Sequence, residues 1–356
     1  MCSSGSDASG QNGQSSAKKT PVQMGGAIDT ALTLTTSVTT LAGSGAVGSS
    51  DATGAAATFS GPQGITTYGE YAYVSDTNNN KIRSIHITSG AVSTLAGSGA
   101  ASSLDGTGAA ATFNTPIGIT TDGANLYVAD YSGRRIRRIV IATGVVTTLA
   151  GSGTNGSADG TGVAATFGNP SGITTDGTNL FVSDAGNHKI RKITISSAAV
   201  STLAGTGSTG SADNTGILAS FNFPNGLTIL SDNLYVADGS NHRIRKIVIA
   251  TGVTTTFAGN GTNSSLDGTG TSATFNSPVG ITNDGTSLYV SEYTGCKVRR
   301  INASTQAVTT VAGSGTQAST NGTGTAAAFN LPYHITADTQ SLILPDSSGH
   351  RVRRIQ

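Results

Sequence analysis

Acidic and basic side chains recur along the chain at one fixed spacing. Six acidic residues each precede an arginine by seven positions. The acidic residues are Asp76, Asp130, Asp184, Asp238, Glu292 and Asp346. The arginines are Arg83, Arg137, Arg191, Arg245, Arg299 and Arg353. A ring of arginines could bind nucleic acid, but a pair that recurs in every unit favours structural ion pairs that hold each unit to itself or to the next one.

Two other repeated groups could bind metal ions. His188, His242 and His350 occupy equivalent positions, but they lie in separate units and lack the close spacing of zinc ligands. The segment Asp-Gly-Thr-Gly also recurs, but it supplies one carboxylate where calcium takes about six to eight oxygens. We expect this segment to form an Asx-type turn before a core phenylalanine. The sequence therefore predicts no metal ion and no cofactor.

A unit of 54 residues accounts for most of the chain. The segment Leu41-Ala42-Gly43 recurs five more times at this interval, with Phe257 and Val311 replacing the leucine in the last two copies. Each unit contains four short β signals separated by Gly, Asn, Asp or Ser, and no helical periodicity is present. The sequence predicts an all-β fold, a six-bladed β-propeller of four-stranded antiparallel blades.

The two ends of the chain predict how the ring closes. The last unit ends at Gln356, directly after its third strand. Residues 37–43 match the fourth strands of the other units. We therefore expect the N-terminal strand to join the last blade and to close the ring.

Residues 1–30 have the composition of a flexible Ser/Gly-rich tether, whereas residues 31–356 form the predicted propeller. Cys2 with the following Ser-Ser-Gly resembles the start of a mature bacterial lipoprotein. This resemblance implies lipidation of Cys2 and a protein that is anchored at the outer membrane or cell surface, or secreted. No apolar run approaches the ~20 residues of a membrane-spanning helix, so membrane contact is expected only through the lipid.

The segments around the second and third strands resemble the NHL repeat. Asn187-His188 and Asn241-His242 match its central pair, with Ile190 and Ile244 in the apolar position. The preceding Pro-x-Gly-Ile/Leu element matches in four units, for example from Pro170 to Ile173. The resemblance covers residues 38–356. It implies a binding platform for protein, RNA or carbohydrate, and related six-bladed propellers include lyases and lactonases.

Residues that break the repeat are the candidates for binding. We expect them on the top face, the face that carries the loops between second and third strands. In the last unit, Tyr333-His334 replaces a pair that ends in glycine elsewhere, and we expect His334 to project at the channel mouth. The candidate binding residues are Tyr333, His334, Tyr131, Tyr293, Asn225, Gln63 and Arg134. Aromatic and amide groups around a concave mouth favour a protein, peptide or glycan partner.

The sequence contains few features that would indicate an enzyme. No paired carboxylates, nucleophile elbow or phosphate-binding loop is present, so no catalytic residue is predicted. The net charge of +1 gives no overall field for nucleic acid, and no nucleic-acid partner is expected. The sequence therefore favours an extracytoplasmic binding or scaffolding module. The alternative is a channel-site lyase or lactonase-type enzyme centred on Tyr333 and His334.

Overall fold

The computed structural model describes residues 31–356, which form six antiparallel sheets around a central channel. The predicted tether, residues 1–30, and the predicted lipidation site Cys2 lie outside the described residues. Innermost strands of adjacent blades pack against each other, and blade six packs against blade one. The predicted six-bladed propeller is thus confirmed. Within residues 31–356, no helix has the length and apolar character needed to cross a membrane.

Each blade has four main strands, ordered here from the channel outward. The innermost strands of blades one to six are Pro62–Tyr68, Pro116–Thr121, Pro170–Thr175, Pro224–Leu230, Pro278–Asn283 and Thr336–Ala337. The second strands are Tyr71–Asp76, Asn125–Asp130, Asn179–Asp184, Asn233–Asp238, Ser287–Glu292 and Leu342–Asp346. The third strands are Lys81–His86, Arg135–Val140, Lys189–Thr194, Arg243–Val248, Lys297–Asn302 and Arg351–Ile355. The outer strands are Val92–Ala96, Val145–Ala150, Ala199–Ala204, Val253–Ala258, Ala307–Ala312 and Ser37–Ala42.

Five blades gain a short fifth strand that the sequence did not predict. These strands are Gly106–Thr107, Gly160–Thr161, Asn214–Thr215, Gly268–Thr269 and Gly322–Thr323. Each pairs with the start of its blade's outer strand, and blade one has a single bridge between Thr53 and Ala91 in the same place. The added pairing covers part of an edge that would otherwise expose backbone hydrogen-bonding groups.

Two sets of single-turn 3-10 helices complete the described secondary structure. One set follows the short outer pairing, at Gly54–Ala56, Gly108–Ala110, Gly162–Ala164, Gly216–Leu218, Gly270–Ser272 and Gly324–Ala326. The other lies in the loops between second and third strands, at Thr77–Asn79, Ala185–Asn187, Gly239–Asn241 and Ser347–Gly349.

The N-terminal strand closes the ring as predicted. Ser37–Ala42 pairs antiparallel with Arg351–Ile355, with Val38 opposite Ile355 and Ala42 opposite Val352. The backbone N–H of Ser37 donates to the carbonyl of Gln356 at 3.1 Å, and the N–H of Gln356 donates back to Ser37 at 3.0 Å. The two ends of the propeller therefore share one sheet in blade six.

The close approach of innermost strands requires glycine at one position of blades one to five. A Cβ atom at Gly172 would overlap the carbonyl oxygen of Asn225 in the next blade. Equivalent overlaps with the neighbouring backbone exist at Gly64, Gly118, Gly226 and Gly280. Blade six is the exception, because its innermost strand has two residues and begins only after His334.

Apolar side chains from neighbouring blades form the core. One cluster joins Tyr127 and Ile136 of blade two to Phe167, Ile173 and Leu180 of blade three. Phe167 is fully buried, as expected for the phenylalanine that follows the Asp-Gly-Thr-Gly segment. Burial of this kind is the main source of adhesion between the blades.

Candidate functional site

A pocket of about 460 Å³ opens on the top face. Every blade contributes the residue after the proline that precedes or begins its innermost strand. These six residues are Gln63, Ile117, Ser171, Asn225, Val279 and Tyr333. The remaining wall comes from Thr115 and Phe223 and from the loops that follow the second strands, through Thr77, Asn78, Tyr131, Ala185, Ser240 and Tyr293. We call this feature the top pocket.

The top pocket brings together most of the candidate binding residues. Gln63, Tyr131, Asn225, Tyr293 and Tyr333 all line it, although they belong to blades one, two, four, five and six. Two other candidates, Arg134 and His334, do not line it. Sequence reasoning named the residues that break the repeat but left out Thr115 and Phe223, which lie just before the prolines. Their signal is the variability of that position among the units.

Tyr333 extends across the mouth of the channel. Its hydroxyl group lies close to the side chains of Asn225 in blade four and Ser171 in blade three. Burial raises the pKa of the Tyr333 hydroxyl to about 12, so it is a neutral hydrogen-bonding group near pH 7. Ser171 Oγ donates to Asn225 Oδ1 at 2.5 Å, and the Tyr293 ring meets the Tyr333 ring edge-to-face at 5.7 Å. These contacts fix the floor of the top pocket.

His334 does not project at the channel mouth, which corrects the expectation from the sequence. Its side chain is only 7% exposed and lines a separate cavity of about 30 Å³ inside the channel. One aliphatic side chain from each blade surrounds this cavity: Ile65, Ile119, Ile173, Leu227, Ile281 and Ile335. The Tyr333 ring packs beside the imidazole, with 5.1 Å between ring centroids. Because Tyr333 takes the place at the mouth, His334 is directed into the channel.

The environment of His334 favours the neutral imidazole. Burial among aliphatic side chains lowers the pKa of His334 to about 4. Its Nε2 atom has no hydrogen-bond partner among the described residues. A cavity of this size holds about one water molecule. His334 is therefore a buried, uncharged group below the top pocket.

Arg134 lies directly before the third strand of blade two, outside the top pocket. The residue at this position, which we call the corner residue, adopts a left-handed conformation in every blade, with φ of 51° for Arg134. In four blades its side chain accepts a hydrogen bond from a backbone N–H of the next blade. The four N–H groups are donated by Thr115 to Asn80 Oδ1, by Phe223 to His188 Nδ1, by Ser277 to His242 Nδ1 and by Gly61 to His350 Nδ1, at 2.8 to 3.2 Å. Arginine has no acceptor atom, so Arg134 cannot make this contact.

The corner contacts explain the repeated histidines. A ring nitrogen that accepts an N–H must be unprotonated, and burial lowers the pKa of both His188 and His242. These histidines join neighbouring blades and lie on separate blades of the ring. Across residues 31–356, no group of three or more His, Cys, Asp or Glu side chains is placed to hold a metal ion.

The six repeated arginines are fully buried and each has several partners. Arg83 Nη1 lies 2.7 Å from Asp76, Arg83 Nη2 lies 2.6 Å from Asp51, and the guanidinium lies 5.2 Å from the centroid of the Phe59 ring. Equivalent pairs of the arginine with the residue seven positions earlier occur in all blades, at 2.7 to 3.3 Å. All of these partners belong to one 54-residue unit, so the arginines do not form an exposed track for nucleic acid.

The second acidic partner of each arginine was missed by the sequence analysis. The aspartates of the Asp-Gly-Thr-Gly segments do not act through the expected Asx turn, because their carboxylates accept hydrogen bonds from the arginine and from an outer-strand threonine. Asp159, for example, accepts from Arg191 at 2.8 Å and from the Thr202 hydroxyl at 3.0 Å. The signal was a constant spacing of 32 residues between aspartate and arginine. In blade six, Asn321 takes this place and accepts from Arg353 at 2.9 Å.

The NHL repeat model matches residues 221–247. This segment contains Phe221, Asp238, Asn241-His242 and Arg245, and therefore the buried arginine cluster and the corner histidine of blade four. The protein is therefore a six-bladed β-propeller that contains an NHL repeat. It is 29% identical to human NHL repeat-containing protein 2 over 290 residues, which are 70% of this chain and 40% of that protein. This NHL propeller thus spans less than half the length of the curated relatives that it matches first.

Solved structures share the fold of this NHL propeller at low sequence identity. An auxiliary nutrient binding protein from Bacteroides thetaiotaomicron has a TM-score of 0.69 and 15% identity, over 90% of this chain and 76% of that one. Virginiamycin B lyase from Staphylococcus aureus has a TM-score of 0.52 and 17% identity, over 83% of this chain and 95% of that one. At these identities the similarity establishes the propeller fold alone.

Proposed function

We propose that this NHL propeller is an extracytoplasmic binding or scaffolding module that engages a protein, peptide or glycan in the top pocket. The observation that carries the proposal is the composition of the pocket. All fourteen lining residues are uncharged near neutral pH, and four of them are aromatic. A concave site with aromatic walls and several neutral hydrogen-bonding groups is typical of a binding pocket.

The first described residues lie at the face opposite the top pocket, which supports a pocket that faces away from an anchor. The backbone N–H of Leu32 donates to Asp284 Oδ2 at 3.0 Å. Asp284 lies in the hairpin between the innermost and second strands of blade five, on the face opposite the top pocket. Any anchor attached through residues 1–30 would therefore begin at the far face. This arrangement suits the proposed lipidation of Cys2 and a site at the outer membrane or cell surface.

The alternative of a channel-site enzyme centred on Tyr333 and His334 fits the geometry less well. Tyr333 lies close to Asn225 and Ser171, and its raised pKa disfavours a phenolate near pH 7. His334 lies below it among aliphatic side chains. A general base must reach the substrate within hydrogen-bonding distance, directly or through one water. The floor of the top pocket separates His334 from a ligand bound above.

The proposal is tested by adding protein, peptide and glycan fractions of the source cell envelope to the full-length protein and measuring Tm. We expect at least one fraction to raise the Tm of the wild type. The double variant Tyr131→Ala/Tyr293→Ala should lose this shift. Tyr71→Ala, which removes an exposed tyrosine outside the pocket, should keep it. An equal shift in the double variant, or no shift with any fraction, would contradict the proposal.

A further inference from the structure

Few backbone N–H and carbonyl groups around the top pocket are free to form hydrogen bonds with a ligand. A proline comes directly before each of the six lining residues that the blades contribute, so the rim lacks six backbone donors: Pro62, Pro116, Pro170, Pro224, Pro278 and Pro332. Several rim carbonyl groups already accept hydrogen bonds. Gln63 accepts from the backbone of His334, Pro116 from the Thr77 hydroxyl, and Asn225 from the Ser183 hydroxyl. Recognition of a peptide by strand addition needs free backbone groups of both kinds, and the rim offers few of them.

The side chains of the pocket supply the hydrogen-bonding groups instead. Besides the three tyrosines, seven lining residues carry a neutral amide or hydroxyl group: Gln63, Thr77, Asn78, Thr115, Ser171, Asn225 and Ser240. Gln63 Oε1 is buried and has no hydrogen-bond partner among the described residues. Hydroxyl groups can donate and accept, and amides present both kinds of group. A ligand with several hydroxyl groups could therefore form hydrogen bonds with side chains on several sides of the pocket.

Charged ligands fit this lining poorly. None of the fourteen lining residues carries a charge near neutral pH. A carboxylate or phosphate that enters a pocket without a charged partner loses its hydration without compensation. The repeated arginines cannot supply that partner, because Arg191 and its equivalents are buried in their own clusters.

Aromatic side chains and the size of the pocket narrow the ligand further. Tyr131, Phe223, Tyr293 and Tyr333 provide rigid apolar surface beside the neutral polar groups. The C–H face of a pyranose ring is apolar, whereas its edge carries hydroxyl groups, so one sugar ring meets both kinds of surface. A volume of about 460 Å³ lies within the range of small-ligand sites.

From this geometry we propose that the top pocket binds an uncharged sugar, as a free saccharide or as a terminal unit of a neutral glycan. The inference rests on the proposed function, since it names the ligand class of the same pocket. Aromatic faces hold the ring, the Gln63 and Asn225 amides bind its hydroxyl groups, and the neutral lining excludes acidic sugars.

The test applies the full-length protein to an array of neutral and acidic oligosaccharides and measures binding of the retained neutral glycan by calorimetry. Tyr131→Ala should weaken this binding about tenfold or more, which corresponds to about 1.4 kcal/mol. Tyr71→Ala should bind like the wild type. Gln63→Glu, which adds a charge to the lining, should also weaken binding, and the acidic analogue of the same sugar should bind at least about tenfold more weakly.

Three outcomes would overturn the inference. One is that no neutral glycan is retained in a Tyr131-dependent manner. The second is that acidic glycans bind as tightly as neutral ones. The third is that a peptide fraction shifts the Tm through Tyr131 and Tyr293 while every glycan fails, which would leave the proposed binding function intact. If no fraction and no glycan depends on these tyrosines, the proposed function fails as well.

Discussion

At the residue scale, the buried arginines have the largest structural consequence. Arg191 has no exposed side-chain surface and lies 2.9 Å from Asp184, whose carboxylate is equally buried. Such a pair contributes little net stability compared with a well-packed apolar substitute, but removing one partner leaves a buried charge without compensation. The cluster therefore specifies how the third strand sits against the crossing segment of its own unit.

Removal of the Arg191 guanidinium should destabilise the protein strongly. We expect Arg191→Met to lower the free energy of unfolding by about 3 to 5 kcal/mol, because Asp184 loses its charged partner. Lys192→Met, the same change in type at the neighbouring half-buried position, should cost less than about 1 kcal/mol. Chemical denaturation of both variants provides the measurement. Equal losses would show that the buried pair has no special role.

His334 should make stability depend on pH. Its pKa in the folded protein, about 4, lies below the ordinary value of 6.5. The unfolded chain therefore binds a proton that the folded protein excludes. The stability that comes from neutral His334 is complete above pH 6.5 and is lost as the pH falls from 6.5 towards 4. The loss should reach about 3 kcal/mol.

The variant His334→Gln isolates this effect. The difference in unfolding free energy between wild type and variant should be constant above pH 6.5. Below that pH the wild type should lose stability relative to the variant, since the other histidines titrate equally in both proteins. If the unfolding free energies of the two proteins changed equally from pH 4 to 8, His334 would have the same pKa in the folded and unfolded states, which would contradict the prediction.

At the element scale, the outer strands and their crossing segments show what repetition can predict. The 54-residue interval was sufficient to predict every main strand of the blades, because equivalent contacts recur in each unit. It did not predict the fifth strands, since two residues give no measurable β pattern. The sequence also did not predict the orientation of His334, because this orientation depends on Tyr333 filling the channel mouth and on the short innermost strand of blade six.

Blade six lacks one carboxylate that the other five blades possess. Asn321 accepts a hydrogen bond from Arg353, but it carries no charge there. Asn321→Asp should raise the free energy of unfolding by about 1 kcal/mol, the upper range for a partly exposed ion pair. The equivalent Asp51 side chain is 46% exposed, so a larger gain is not expected. Thermal unfolding at low and high salt measures the gain and its screening.

Asn155→Asp is the matched control for this substitution. Asn155 is exposed and forms no hydrogen bond with a buried arginine. Its replacement adds the same charge and should leave Tm nearly unchanged. If both substitutions had the same effect, net charge rather than pairing with Arg353 would be responsible.

At the scale of the whole molecule, closure of the ring assembles the candidate site. Tyr333 of blade six reaches Asn225 and Ser171 on blades four and three only because the blades surround one axis. The sequence predicted this closure because the last unit lacks its fourth strand and residues 37–43 match that strand. It also named five of the pocket residues, but it could not predict that Arg134 and His334 would lie outside the pocket, because that depends on how side chains pack around the axis.

The N-terminal strand should determine the stability of the whole ring. A variant without residues 1–30 should keep the wild-type Tm, because their composition predicts a flexible tether. Removal of residues 1–42 deletes the outer strand of blade six and its pairing with Arg351–Ile355. This variant should unfold at a much lower temperature or fail to fold. Calorimetry that found equal Tm values for both deletions would contradict closure by this strand.

The central claim is that six blades combine their non-repeated residues into one uncharged binding pocket. A crystal structure of the full-length protein with the neutral glycan selected on the array tests this claim most directly. We predict that a sugar ring lies against Tyr131, Tyr293 and Tyr333, within hydrogen-bonding distance of Gln63 or Asn225. A glycan bound on the outer rim or on the opposite face, with the top pocket empty, would contradict the account.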